Sequence, residues 1–247
     1  MSGNERASSA ASLSVPAALA TGEIEVLGAL PESSNAALLV RCRTAEDHLL
    51  AVYKPMRGEA PLWDFPDGTL HRREVAAFEL ARSLGWPLVP PTVLRDGPFG
   101  PGSVQLFIDF DPAEHFFTLE VAYADTFRRV AMFDLAVNNA DRKGGHCLLD
   151  ANGAIWVIDH GVCFAVEPKL RTVIWTFVDE PLPADAVADL SRVRGELVKP
   201  GELAATFSEL LAPDEVAATV TRIDQLLAAG RFPEPEPGVR PFPWPPI

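Results

Sequence analysis

The sequence predicts an α+β fold in two lobes, a β-rich N-terminal lobe carrying one helix and an α-rich C-terminal lobe. Three observations lead there. As far as residue 110 the apolar runs are short and bounded by clusters of Pro, Ser, Asn and Asp, as strands are. Only His71 to Leu84 interrupts them with a helical period. From Leu119 onward the helical period dominates, broken by one hairpin signal between Cys147 and Ile158.

Glu23 to Leu30 and Ala36 to Val40 read as two strands parted by Pro31-Glu32-Ser33-Ser34-Asn35, and Leu49 to Tyr53 as a third that ends at Lys54-Pro55. Lys54 closes an apolar strand, where a lysine either snorkels to solvent or points into a cleft. Met56 to Leu70 is longer than a plain connection requires and reads as a lid or a substrate-contacting loop. In the helix that follows, Ala77, Leu80, Ala81 and Leu84 share one face, and Gly85 stands at C′. Glu74 falls in its first turn, favourable for the helix dipole and within reach of a strand lysine. Ser103 to Phe110 reads as a further strand broken by Asp111-Pro112. A five-stranded lobe with one helix is therefore expected, ending in a connector near Asp109 to Glu114.

Leu119 to Asn138 reads as one long helix, with Tyr123, Phe127, Val130 and Val137 on or near one face. The hairpin follows: Cys147 to Leu149, a turn at Asp150 to Gly153, and Ile155 to Ile158. After Gly161 the chain reads as loop and short strand, with Trp175 and Phe177 in the core. Three packing helices close the lobe, about Ala184 to Leu197, Gly201 to Leu211 and Asp214 to Ala229, the last stopped by Gly230. The expected division is a disordered Ser/Ala-rich lead-in over residues 1–20, an N-lobe over 21–110, a C-lobe over 111–230 and a Pro-rich arm over 231–247. The arm, FPEPEPGVRPFPWPPI from Phe232, is excluded from helix and central strand. It is either an extended segment laid on the surface or a ligand for a partner.

Bulk properties narrow the function. Of 247 residues 48% are apolar, enough for a sizeable core. Thirty-four acids against 21 bases give a net charge of -13, which opposes docking on nucleic acid or an anionic bilayer; neither a nucleic-acid partner nor a stable membrane association is expected. The three cysteines are odd in number and lack CxxC spacing, which points to a reduced, cytoplasmic protein. No apolar run approaches the ~18 residues of a membrane span.

The chemistry concentrates in FDLAVNNADRKGGHCLLDANGAIWVIDHG, Phe133 to Gly161. If the hairpin pairs, the polar cluster before its first strand and the Asp159-His160-Gly161 step after its second meet at one end, and Asp141 faces Asp159. Asp, a few residues, a metal-capable side chain, strand, turn, strand, Asp-x-Gly is how protein kinases build a catalytic base and a magnesium site. A strand lysine paired with a glutamate on the next helix, Lys54 with Glu74, is the ion pair that holds nucleotide phosphates there. Ser33, Ser34 and Asn35 offer hydroxyls and backbone N–H groups that could lie over a phosphate, although the turn is neither a Walker sequence nor a GxGxxG loop.

With these residues laid out, the chain resembles the atypical kinases of the phosphatidylinositol 3- and 4-kinase superfamily, and among them the small actinobacterial phosphatidylinositol-kinase-like proteins. The resemblance covers about Gly22 to Ala229 and rests on VYKP around Lys54, REVAAFELARSLGWPLVPPT around Glu74, NNADRKGGH around Asp141 and VIDHG around Asp159. It implies a two-lobed protein-kinase-like fold that uses ATP and Mg2+ or Mn2+. It also implies that Lys54 binds the nucleotide phosphates, Glu74 orients Lys54, Asp141 acts as catalytic acid/base with Arg142 beside it, and Asp159 ligates metal. Departures stand beside these matches: His146 where the superfamily has a second metal ligand, Asn; Lys143 where it has His; and His160 in place of Phe, read as a packing variation.

Three functions follow. The leading one is an ATP- and Mg-dependent phosphotransferase whose phosphoacceptor is a protein or small molecule in preference to a lipid, since an acidic chain is poorly placed at an anionic surface. The second is a pseudokinase that binds nucleotide or partner without transfer, supported by His146 and by the missing glycine-rich loop. The third is a metal-dependent hydrolase using Asp134, Asp141, His146, Asp159 and His160; Asp134 falls back on the helix, which opposes so compact a cluster.

Overall fold

The computed structural model describes residues 14–30, 36–45 and 48–247. A short helix α1 (Val15–Thr21) leads into strands β1 (Glu23–Ala29), β2 (Leu38–Arg43) and β3 (His48–Pro55). Helix α2 (Leu70–Leu84) and a hairpin of β4 (Thr92–Gly97) and β5 (Gly100–Leu106) follow. The five strands form one antiparallel sheet in the order β1-β2-β3-β5-β4. Helices α3 (Phe116–Leu119) and α4 (Ala124–Val137) begin the second lobe. The hairpin β6 (Cys147–Leu149) and β7 (Ile155–Val157) comes next, then α5 (Ala184–Val198), α6 (Glu202–Leu210) and α7 (Pro213–Ala229). A sheet lobe followed by a helical lobe is the predicted architecture. Among the described residues no helix is long and apolar enough to cross a membrane.

Strand alternation puts Val40 and Cys42 of β2, Ala51 and Tyr53 of β3 and Val104 of β5 on one buried face. Gly102 lets β5 close on the end of β3: a Cβ there would lie 2.4 Å from the Lys54 carbonyl oxygen and 2.7 Å from the Tyr53 ring. That close approach fixes the strand end from which the Lys54 side chain leaves.

Four expectations need correction. The lead-in predicted as disordered to residue 20 contains α1, whose Leu19 is wholly buried in the sheet's core. The Arg95 guanidinium caps this helix by donating to the carbonyls of Leu19 and Gly22, both at 2.8 Å; the N-lobe thus carries a second helix. Thr92–Gly97, not assigned from the sequence, supplies the fifth strand. The helix predicted over Leu119 to Asn138 begins only at Ala124: residues 120–123 form a turn that separates it from the short α3, and Phe116 of α3 stacks edge-on against Phe127, ring centroids 5.0 Å apart. In one straight helix residues eleven apart would lie about 16 Å apart along the axis. Finally, α2 starts at Leu70, so Glu74 is in its second turn. The vacant first-turn amides of Leu70 and His71 donate instead to the Glu59 carboxylate, at 3.1 and 2.8 Å.

Helix α2 packs on both lobes. Eleven of its fifteen residues are buried, against β4 and β5 on one side and α5 and α6 on the other, so it belongs to the large lobe's core as much as to the sheet. Arg73 fastens it there: its buried guanidinium pairs with Glu215 of α7 and donates to the Cys163 carbonyl at 2.7 Å. The Pro-rich arm runs over the helical lobe without helix or strand, with a turn at 237–238 and bends at 239, 242, 244 and 245. Phe232 is buried against Phe177, and Pro241 and Pro246 accept hydrogen bonds further along. All three cysteines are free and buried.

Candidate active site

Helix α4 ends where the polar cluster begins. Asn138 caps it in the left-handed region (φ 54°), donates from Nδ2 to the carbonyls of Ala165 and Glu167, and accepts from the Lys169 amide. Asn139 donates to Asp134 at 2.9 Å and its Oδ1 accepts the Asp141 amide at 3.0 Å, which sets the loop's path. Arg142, grouped with Asp141 by the sequence reading, has no exposed surface. It binds the Asp134 carboxylate through Nε and Nη2, donates from Nη1 to the Ile158 carbonyl at 2.8 Å, and meets His160 Nε2 at 2.7 Å. It therefore joins α4, the loop and the residue before Asp159, and turns away from the cleft. Asp134, by the same pairing, is withdrawn from any metal cluster. His160 is buried edge-on against Phe133, and burial pushes its pKa far below the ordinary value, so its neutral Nε2 accepts from Arg142.

The hairpin pairs as expected, Cys147 opposite Val157 and Leu149 opposite Ile155. Its turn is held by Asp150, which accepts from the amides of Asn152 and Ala154 and from the Trp156 indole. At the open end the Ile158 amide donates to the His146 carbonyl at 3.0 Å, bringing His146 and Asp159 together. Asp159 has φ 65°, a left-handed conformation that costs a non-glycine residue about 1–2 kcal/mol. It is fixed on both sides: Lys54 Nζ lies 3.1 Å from Oδ1 and His146 Nε2 lies 3.4 Å from Oδ2.

Lys54 points into the cleft. Its ammonium pairs with Glu74 Oε1 as well as Asp159, while Glu74 Oε2 accepts the His160 amide at 3.0 Å. One carboxylate on α2 thus ties the sheet lysine to the Asp-x-Gly turn. Burial alone would lower the Lys54 pKa, but the carboxylates of Asp159 and Glu74 outweigh it and raise it. The Lys54 ammonium beside Asp159 holds that carboxyl well below the usual range. Burial pushes His146 down to about 4 and raises Asp141. One ligand atom each from Asp141, His146 and Asp159 lie within 4.8 Å of one another. At neutral pH that donor set is two carboxylates and a neutral imidazole, residue types that fit a divalent cation; the nitrogen suits Mn2+ better than Mg2+, whose shells are all oxygen.

The predicted phosphate-contacting residues Ser33, Ser34 and Asn35 lie outside the described residues. The loop from Met56 to Leu70 lines a cavity of about 420 Å³ with Arg57, Leu62, Phe65 and Asp67. It is tied to the segment after Gly161 by Lys169, which pairs with Asp64 at 2.8 Å and sits 5.2 Å from the centre of the exposed Trp63 ring. Two further residues are close to the centre. Lys143 Nζ lies 3.3 Å from Asp141 Oδ2, and Arg73 anchors the turn of α2 that carries Glu74. A charged Arg73 between the apolar positions of α2 was the available signal for the second; the first was marked by the resemblance, as the residue standing where the superfamily has His.

No protein-family model matches the chain. Protein Rv2133c of Mycobacterium tuberculosis (strain ATCC 25618 / H37Rv) is 40% identical, with 93% of this chain and 94% of that protein aligned. Among solved structures, the crystal structure of a Helicobacter pylori proinflammatory kinase, CtkA, matches with a TM-score of 0.53 and 12% identity over 87% of this chain and 94% of that one. At that identity the likeness is one of fold, and the fold is kinase-like.

Proposed function

The chain belongs to the family of Protein Rv2133c, and from that premise and its kinase-like fold we propose that it is an ATP- and divalent-metal-dependent phosphotransferase of the phosphatidylinositol 3- and 4-kinase-like type. Its acceptor is a protein or small-molecule hydroxyl. The observation that carries this reading is the convergence of Lys54, Glu74, Asp141, His146 and Asp159, drawn from both lobes, on one crevice. A hydrolase built on Asp134 and His160 as well is disfavoured, since both are buried in the Arg142 network.

Lys54, kept charged by its two carboxylates, binds phosphate oxygens and holds the nucleotide in line. Asp159 and His146 would hold a divalent metal, which would supply neutralisation of the charge that gathers on the transferred group. Asp141 accepts a hydrogen bond from the acceptor hydroxyl and orients its oxygen toward the γ-phosphorus. As the new P–O bond forms, the bond to the β,γ-bridging oxygen breaks, ADP departs with that electron pair, and the hydroxyl proton passes to the Asp141 carboxylate. Burial raises the Asp141 pKa, which makes it a better proton acceptor. Lys143, at 3.3 Å, keeps that carboxylate ionised before transfer.

Thermal melts with ATP, Mg2+ and Mn2+ in combination test the reading, together with turnover by the wild type and by Asp141→Asn, Asp159→Asn and Lys54→Met. Stabilisation by ATP only with metal, lost in Lys54→Met and Asp159→Asn, and turnover lost in all three variants is the expected outcome. Wild-type turnover no greater than that of Asp141→Asn, with nucleotide binding intact, leaves the pseudokinase reading. That reading is favoured by His146, whose imidazole stands against Asp159 Oδ2 where the resemblance places an amide.

A further inference from the structure

The Pro-rich arm reaches the catalytic loop. Thr172 bridges in parallel to Arg142: the Arg142 amide donates to the Arg171 carbonyl at 2.9 Å and the Val173 amide to the Arg142 carbonyl at 3.1 Å. The Thr172 amide faces the other way and donates to the Pro241 carbonyl at 3.0 Å, so the arm meets the outer side of a backbone bridge whose inner residue, Arg142, follows Asp141 directly. The Trp175 indole donates to the same carbonyl at 3.3 Å. Further along, the Gly144 amide donates to the Pro246 carbonyl at 2.7 Å. A Cβ on Gly144 would lie 3.0 Å from the Phe117 ring and 3.4 Å from that carbonyl oxygen; glycine keeps the amide open to it.

These contacts have a common chemistry. Two backbone amides, of Thr172 and Gly144, and the Trp175 indole are all taken by main-chain carbonyls of the arm, contacts that a polypeptide can make irrespective of its side chains. The arm is held weakly for its composition. Pro243 is buried and Pro241 and Pro246 half-buried, whereas Phe242, Trp244 and Ile247 point outward and are exposed. Its largest apolar groups, the usual anchors of a tight docking, do not fasten it. From Arg231 to Ile247 it also contains no Ser, Thr or Tyr, so it lies along the catalytic loop with nothing a phosphotransferase could modify.

We propose that the edge formed by Thr172, Trp175 and Gly144 seats a polypeptide acceptor, and that residues 240–247 occupy it as a hydroxyl-free place-holder which the acceptor displaces. This rests on the phosphotransferase reading above and narrows its acceptor to a polypeptide. The two carbonyl contacts are five residues apart in the arm, and the chain between them bends at 242, 244 and 245; their donors stand close together, because Gly144 is two residues from Arg142, which pairs with Thr172, so an acceptor making both contacts presents a bent segment like that from Pro241 to Pro246. The transferred phosphoryl group and the hydroxyl proton move as described for Asp141.

A hydroxyl scan of the full chain tests this. Pro243→Ser, Trp244→Ser and Pro245→Ser are each incubated with ATP and Mg2+ or Mn2+, and modified residues are located by mass spectrometry. At least one introduced hydroxyl is expected to take up a phosphoryl group in a reaction first order in protein, unaffected by dilution and abolished by Lys54→Met. A variant ending at Val239, which retains Phe232, is expected to phosphorylate an added unstructured Ser-containing peptide with a kcat/KM about tenfold higher than the full chain, the factor given by removing ~1.4 kcal/mol of displacement cost. Its ATP–metal melting shift stays unchanged, and the peptide PFPWPPI restores inhibition competitive with acceptor and not with ATP. Intact ATP–metal stabilisation with no serine modified and no gain on truncation overturns this inference alone. Absence of ATP–metal stabilisation in the full chain overturns the phosphotransferase reading and this inference with it.

Discussion

Removing either member of the Asp134–Arg142 pair should unfold the protein readily without acting on chemistry. Both side chains are completely buried. Asp134 accepts from Arg142 through both oxygens and from Asn139, while Arg142 also satisfies the Ile158 carbonyl and His160. Deleting one partner leaves the other as an uncompensated buried charge, which costs about 3–5 kcal/mol. At roughly 2–4 °C per kcal/mol for a chain of this size, Asp134→Leu or Arg142→Met should each lower Tm by about 6–20 °C. The double variant removes both charges together, so its loss should be close to that of either single variant and far from the ~6–10 kcal/mol sum. It does not return to wild type, because the Asn139 amide and the Ile158 carbonyl lose partners, at about 1–3 kcal/mol for each group left unsatisfied. Urea unfolding of the four proteins measures the cycle through Cm at constant m. Single-variant losses under ~1 kcal/mol, or additive losses, would refute a desolvated, coupled pair. At temperatures where Arg142→Met remains folded it should still show an ATP–metal melting shift, the readout that separates a positioning residue from one that touches substrate.

Lys54→Met should abolish the melting shift, about 2.7 kcal/mol when ligand is present at a hundred times Kd; it should also let the Asp159 carboxyl titrate closer to its ordinary range, which NMR of the carboxyl carbon would read, and an unmoved Asp159 would mean that the lysine does not face it. His146 is held at about 4 against an ordinary 6.5, so the unfolded chain binds its proton first: stability is full above pH ~6.5 and declines as pH falls toward 4, by about 3 kcal/mol over the interval at ~1.4 kcal/mol per pH unit. His146→Asn should flatten the decline between pH 6.5 and 5 by about one proton, with buried His160 supplying the remainder in the same direction, and the same substitution should move metal preference from Mn2+ toward Mg2+; an unchanged pH dependence of the unfolding free energy, measured by urea titration at each pH, refutes the buried neutral imidazole. Burial pushes the Cys147 thiol up to about 12 and raises Cys42 and Cys163 also, so a disulfide reagent at pH 8 should label none of the three promptly in the folded protein and all three in urea, whereas rapid labelling of any one in the native state contradicts its burial.

Much of the fold was legible because local rules coincide with the global one. The alternation that buries Val40, Cys42, Ala51 and Tyr53, the Asp150–Gly153 turn and the helical periods of α5 to α7 are properties of short windows. The hairpin made the juxtaposition of His146 and Asp159 readable as well, since pairing Cys147 with Val157 leaves their neighbours no other place to go. What escaped was set by contacts distant in sequence. The break between α3 and α4 is imposed by Phe116 folding back on Phe127, and α1 is held by Arg95 and the sheet core, neither of which its Ser/Ala-rich surroundings reveal.

Residue types and their spacing by themselves determined that a strand lysine, a helix glutamate and two loop aspartates are present in a two-lobed α+β chain. Only the tertiary structure decided which charges act in the crevice and which are spent inside. Arg142 and Asp134 neutralise each other in the core, while Lys54 is drawn across the lobes to Glu74 and Asp159. The reason is physical: a buried ion needs a partner within hydrogen-bonding distance, and chain order fixes which charges exist, whereas packing fixes which of them meet.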